Sequence, residues 1–201
     1  MKSIDPTTQT ERENYKLLIG TVIPRPIAFV TTDSGDGVIN GAPFSYFNIV
    51  SSNPPMVSLA IQRPDSGHKD TARNIYQTKE FVVHIVDADN VTQVNEAAAS
   101  LPPDASEIEL ANMTLVDSEV VHVPGVKEAK VRMECVLEQA VPLGEEGAGS
   151  DLFIGKVVRF HIDNSIYENG RIDPRGLGAV SRLAGTNYAH IGDIFSMDRP
   201  K

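Results

Sequence analysis

Apolar and polar side chains alternate most regularly between Ala129 and Leu137. Ala129, Val131, Met133, Cys135 and Leu137 share one face, against Lys130, Arg132, Glu134, Val136 and Glu138 on the other. A period of two with charges on one side predicts an antiparallel strand that buries one face and wets the other. A turn over 144–149 then returns the chain as a second strand, Leu152 to Ile162. Upstream, Ile27–Thr32 and Val38–Ala42 flank the glycine-rich turn Asp33–Gly37 and predict a β-hairpin. Pro24 and Pro26 cannot donate ladder hydrogen bonds, so they mark the entry or edge of the first strand. Met56–Ile61 and Phe81–Val86 are short apolar runs of strand length, the second apolar enough to be covered on both faces.

Helical spacing is weaker. Tyr15, Leu18 and Ile19 would face the core from a helix over Thr10–Ile19, stopped by Gly20. Ala72, Ile75 and Tyr76 share a face of a helix over Lys69–Lys79. Val91–Ser100 reads as helical and ends at Pro102 and Pro103. Ser106–Met113 is a further helical patch, before a strand-like Leu115–Val121. About seven strands without regular strand–helix alternation predict a mainly β (α+β) fold, a closed or nearly closed barrel with a few short helices at its ends. The whole chain, 1–201, reads as one domain with a glycine-rich C-terminal segment, about 165–201, wrapping over its surface.

Composition narrows the function classes. The 201 residues carry 18 basic against 27 acidic side chains, a formal charge of −9, which repels nucleic acid. No apolar run is long enough to span a bilayer, and the polar N-terminus lacks the apolar core of a secretory signal. The single cysteine, Cys135, excludes an internal disulfide framework. A cytoplasmic protein without nucleic-acid or membrane partners is expected. The five histidines lack metal spacing, and no metal site is expected. His84, inside an apolar strand, reads as core rather than catalyst. No Rossmann, Walker or nucleophile-elbow pattern occurs.

The candidate chemistry lies between Asn40 and Thr71. Asn40, Phe44, Ser45, Tyr46, Phe47 and Asn48 suit the lining of a flat heteroaromatic ring. Ser51 and Ser52, at the corner Ser51–Pro55, can present hydroxyls and backbone N–H groups to an anion. Lys69 and Thr71 open a predicted helix, whose free N–H groups favour a phosphate. Asp70 is a helix cap or an acceptor for a ligand hydroxyl. Arg63, His68, Lys69 and Arg73 make this stretch mildly basic. A phosphorylated aromatic ligand accounts for all of these together.

The segments PRPIAFVTT, NGAPFSYFNIVSSNPP, KDTARNI and SRLAGTNYA, in this order, resemble the flavin reductase-like, FMN-binding split-barrel family. The similarity covers roughly residues 10–195. The resemblance implies a Greek-key split β-barrel, a homodimer, and FMN near the dimer interface. It places Asn40, Ala42, Pro43, Phe44 and Ser45 along the isoalloxazine. Ser51, Ser52, Lys69 and Thr71 would serve the phosphate and ribityl chain, and Arg182 would approach from the C-terminal segment. It implies an oxidoreductase that takes hydride from NAD(P)H, with small-molecule donor and acceptor, or else an FMN-binding module without efficient NAD(P)H turnover.

Overall fold

Two long strands organise the chain. Val131–Leu143 and Ser150–Ile162 pair antiparallel with register shifts at Ile154/Gly155 and Val157/Arg159, irregularities that bend a sheet and increase its twist. The computed structural model describes residues 1–64, 67–99, 101–102, 105–144 and 149–200. Its strands are β1 (Arg25–Pro26), β2 (Ala28–Asp33), β3 (Ile39–Phe44), β4 (Phe47–Ser52), β5 (Pro55–Gln62), β6 (Glu80–Ile85) and β7 (Leu115–Val116). They continue as β8 (Gly125–Val126), β9 (Val131–Leu143), β10 (Ser150–Ile162), β11 (Tyr167–Glu168), β12 (Arg171–Ile172), β13 (Val180–Arg182) and β14 (Tyr188–His190). The helices are α1 (Glu11–Thr21), α2 (Asp70–Thr78), α3 (Val91–Glu96), α4 (Glu107–Leu110) and α5 (Pro174–Leu177).

The main sheet is antiparallel, in the order β3-β2-β6-β9-β10-β5-β4. Its two edge strands, β3 and β4, are consecutive in the chain and joined only through Ser45 and Tyr46. Edges tied by so short a link must meet, so the sheet curls into a barrel that stays unladdered at one seam. This is the split barrel expected from the sequence. Phe44 and Phe47, on either side of the link, turn inward to the core with Leu59, Phe81, Cys135 and Phe153. Each such buried aromatic or leucine contributes roughly 1.5–3 kcal/mol. A second apolar cluster, including Phe29, Val94, Ile108 and Val180, lies outside the barrel wall under α3 and α4.

Several boundaries differ from expectation. β4, where the sequence suggests part of a ring lining followed by a corner at Ser51, is an edge strand with Ile49 and Val50 exposed, so it shows no alternation. In α1 only Ile19 is buried, while Leu18 is 59% exposed and Tyr15 37%, because the helix touches the barrel along a narrow edge. Glu134, assigned to the wet face of β9, is fully buried. Its carboxylate accepts from the N–H groups of Glu119 (2.7 Å), Val120 (2.7 Å) and Val121 (3.0 Å) and bonds His161 at 2.6 Å. Those bonds hold 119–121 as a loop over the sheet, which is why only Leu115–Val116 of the expected Leu115–Val121 strand pairs, with β8. The helix expected over Val91–Ser100 ends at Glu96, and the Ser106–Met113 patch contracts to α4. Ser100, Pro103 and residues 145–148 of the expected turn lie outside the described residues.

Candidate flavin site beside the barrel seam

Pro43 and Phe44, at the end of β3 where the barrel is unladdered, form a wall shared by two adjoining clefts. The larger, about 490 Å³, is walled by β3 and the first turn of α2, with Glu107 of α4 beyond. Within it the buried Asn40 donates from Nδ2 to the Thr71 hydroxyl at 2.9 Å. Asn74, one turn along α2, donates to Thr32 at 3.1 Å, so β2, β3 and α2 are tied by one amide–hydroxyl network. Glu107 accepts from the Gly41 N–H at 3.3 Å, and the Ser106 hydroxyl donates to the Ile39 carbonyl at 2.6 Å. Burial raises the Glu107 carboxyl above its usual range; bonds from its own N–H and that of Gly41 oppose the rise, and nearby Asp70 adds to it.

Lys69 occupies the N-cap of α2 without a side-chain capping bond. Its ammonium stands 5.9 Å over the Phe44 ring and makes no ion pair among the described residues. The other basic side chains of this stretch are committed. Arg73 bonds Asp70 at 2.6 Å. Arg63 meets buried Asp151 through Nε at 3.1 Å and Nη2 at 2.9 Å, His68 meets it at 2.8 Å, and the Tyr76 hydroxyl donates to it at 3.0 Å. Burial alone would raise the Asp151 carboxyl, but these partners outweigh it and hold it below the usual range. Asp151 thus pins both flanks of the loop that delivers Lys69; Asp65 within that loop lies outside the described residues.

The smaller cleft, about 230 Å³, lies on the other side of Phe44 and is closed by the C-terminal hairpin β13–β14. Arg182 stacks on Tyr188 with 4.6 Å from guanidinium carbon to ring centre. It donates to the Tyr188 hydroxyl at 2.6 Å and to the Gly185 carbonyl at 2.7 Å. Tyr188 in turn donates to Asn95 of the α3 helix at 3.0 Å. Arg25, only 6% exposed, donates to the carbonyls of Ile19 (2.8 Å), Val22 (2.6 Å) and Leu183 (2.9 Å). It therefore satisfies the open C-terminal carbonyls of α1 while clamping the tail.

Of the residues singled out from sequence, Asn40, Ala42, Asp70 and Thr71 meet in the larger cleft, and Ser45 and Arg182 in the smaller. Pro43, Phe44 and Lys69 line both. Ser51 and Ser52 line neither; they lie at the end of β4, where the Ser51 hydroxyl accepts from the Asn53 N–H at 3.2 Å. Sequence reasoning missed Glu107 and Arg25. Glu107 had no local signal, since only the fold of α4 against β3 brings it to the site. Arg25 was visible only as the residue between two prolines. His84 is a core residue: Nδ1 donates to the Phe29 carbonyl at 3.0 Å and Nε2 accepts from the Val126 N–H at 2.9 Å. Burial lowers its pKa to about 3, so the ring is neutral. Burial likewise raises the Cys135 thiol, which leaves it inert.

A cleft with a flat apolar wall, an ammonium at a helix N-terminus and buried amide and carboxyl groups matches the needs of a phosphorylated ring system. The family profile described as flavin reductase like domain matches residues 19–176, a span that contains the described residues of the larger cleft. The chain belongs to the flavin reductase-like family. A crystal structure of nitrilotriacetate monooxygenase component B from Bacillus cereus is 57% identical, with a TM-score of 0.96 over 98% of each chain. The crystal structure of a 2-nitrobenzoate 2-nitroreductase from Pseudomonas fluorescens is 27% identical, with a TM-score of 0.90, covering 99% of this chain and 96% of the other. A split-barrel-domain structure from Shewanella frigidimarina, 20% identical with a TM-score of 0.84 over 96% of each chain, shares the fold. In this flavin reductase-like barrel, no described helix is long and apolar enough to cross a membrane. No group of three or more metal-ligating side chains is found among the described residues.

Proposed function

We propose that the protein is an oxidoreductase that binds FMN in the larger cleft, takes hydride from NAD(P)H and passes electrons onward. The observation that carries this reading is the juxtaposition of the Lys69 ammonium, without an ion pair among the described residues, with the buried Asn40–Thr71 pair against the Pro43–Phe44 wall. At about 490 Å³, the cleft is within the roughly 300–1,000 Å³ usual for cofactor sites. Lys69 and the first turn of α2 would hold the phosphate. Asn40, Asp70 and Glu107 would bond the hydroxyls or ring edge, and Phe44 would flank the ring. Bound flavin supplies the redox chemistry itself, so the chain's task is to bind, orient and exclude water.

Onward transfer to a separate protein is favoured by one comparison, the 57% identity to a chain described as component B of a monooxygenase. A homodimer is part of the same proposal. Leu18, Val22 and Ile49 are 59%, 59% and 78% exposed on the single chain, apolar side chains that a second copy would cover. The β4–β5 hairpin would then carry Ser51 and Ser52 toward a partner's cleft.

Titration of flavin-free protein with FMN and with riboflavin tests the cofactor assignment. Lys69→Ala should weaken FMN about tenfold or more and riboflavin little, since a charge-assisted bond is worth roughly 1.5–3 kcal/mol. Wild-type protein that fails to bind added FMN would sink the assignment. Anaerobic stopped-flow mixing with NADH and NADPH tests the donor: absence of flavin bleaching with either leaves an FMN-binding module reduced by another partner.

A further inference from the structure

The two clefts differ in charge. The smaller is lined by three cations, Arg25, Lys69 and Arg182, and by three tyrosines, Tyr15, Tyr46 and Tyr188, with no carboxylate among its described lining residues. The larger shares Lys69 but adds two carboxylates, Glu107 and the Asp70 that is paired with Arg73. In a chain of net charge −9 a cationic recess without a carboxylate among its described lining residues is a selective feature, because it concentrates anions against the field of the rest of the surface.

The three cations are not equivalent. Arg25 is buried and its guanidinium donates to three backbone carbonyls and, through Nε at 3.4 Å, to the Ser45 hydroxyl, so it contributes charge but no accessible donor. Lys69 stands on the shared wall. Arg182 is half-buried, held flat on Tyr188 with one nitrogen on the tyrosine hydroxyl and another on Gly185. Its Nε makes no hydrogen bond among the described residues. A guanidinium fixed in this way is a preorganised fork for an anion, and the nearby tyrosine rings offer faces for a planar group.

Size separates the roles. At about 230 Å³ the smaller cleft falls below the roughly 300 Å³ at which a complete cofactor is usually enclosed. It admits part of a ligand, facing the same Phe44 wall as the larger cleft.

We propose that the smaller cleft is the binding site for the second substrate, a planar ring bearing an anionic group, and that Arg182, supported by Tyr188, is its anion-recognition residue. This rests on the flavin being seated in the larger cleft, and it moves Arg182 from cofactor binding to substrate selection. Two sources share the chemistry: the phosphates and ring of a nicotinamide dinucleotide, and an aromatic carboxylate.

The test titrates NAD⁺, NADP⁺, 4-hydroxybenzoate and the neutral 4-hydroxybenzamide into flavin-free and FMN-loaded protein by calorimetry. FMN affinity is measured separately. Arg182→Gln should weaken the anionic probe that binds wild type at least fivefold, leave the neutral amide unchanged and alter FMN affinity less than twofold. Tyr188→Phe keeps the stacking ring but removes the hydroxyl that Arg182 donates to, and should give an intermediate loss; thermal melts establish that both variants fold. The dinucleotides and the benzoate separate the two sources by which of them binds. A parallel fall in FMN affinity would return Arg182 to the cofactor site and overturn the proposal. So would an unchanged anionic-probe affinity in a folded variant, or the failure of every anionic probe to bind wild type. Should wild type bind an anionic probe in an Arg182-dependent way but not FMN, the cofactor assignment fails while the anion site stands.

Discussion

The Asn40 side-chain amide donates to the Thr71 hydroxyl across 2.9 Å, joining the strand that edges the barrel seam to the first turn of α2. Both residues are buried. Thr71→Val removes the acceptor while keeping the shape, so it leaves an amide hydrogen without a partner. Such a loss costs about 1–3 kcal/mol. Urea denaturation should register it as a lower midpoint at unchanged slope, with Thr71→Ser close to wild type.

Gly41 separates Asn40 from Ala42 and has no room for a side chain. A Cβ there would collide with Ile108 Cδ1 and would stand 2.7 Å from Phe29 Cζ. Gly41→Ala should therefore push α4 outward, destabilise the fold by about 1–3 kcal/mol and shift Glu107. Because Glu107 lines the larger cleft and bonds Gly41, FMN affinity should fall in the same variant even at temperatures where it is fully folded.

Acid should unfold the protein partly through Glu134. Burial alone would raise this carboxyl, but hydrogen bonds from Glu119, His161, Val121 and Val120 outweigh it and hold the pKa at about 2 against an ordinary 4.5. A depressed carboxylate contributes stability that is complete above pH 4.5 and is lost as pH falls toward 2. Stability of Glu134→Gln, followed by circular dichroism over that window, should be lower at neutral pH and fall less steeply with acid.

His84 contributes a second window. Its native pKa near 3 lies below the ordinary 6.5 because the ring is buried, a hydrogen bond to Phe29 opposing and Arg132 reinforcing the shift. The unfolded chain takes up a proton that the native state refuses. The contribution is thus full above pH 6.5 and declines as pH falls through 6.5 toward 3. His84→Phe should remove that part of the pH slope, yet still destabilise the protein by about 1–3 kcal/mol, since the Phe29 carbonyl and Val126 N–H each lose a partner.

Much of the barrel was legible because its strands are marked locally. The Asp33–Gly37 turn is punctuated by glycines with φ of +89° and +86°, and the pairing of β9 with β10 follows from alternation. Phe81–Val86 was readable as doubly covered because both sides of β6 meet apolar neighbours. β4 was illegible for the converse reason: at the edge, Ile49 and Val50 are both exposed, and no period survives. Glu134 misled because three of its partners are backbone N–H groups thirteen to fifteen residues away, which no side-chain pattern displays. In the site, Lys69 and Thr71 were visible through their place at a helix start. The family resemblance supplied Ala42, Pro43 and Arg182. Glu107 reaches Gly41 from 66 residues away, a relation that exists only once the chain has folded.

The guanidinium of Arg25 holds Ile19 and Val22 near the end of the first helix and Leu183, 158 residues further along the chain. The two ends of the polypeptide are therefore coupled through one ion. Trimming the tail before Leu183 withdraws an acceptor from a buried cation, so the N-terminal helix should loosen at a site the cut never touches. Amide exchange near residue 22 then becomes a reporter of whether the C-terminal hairpin is seated.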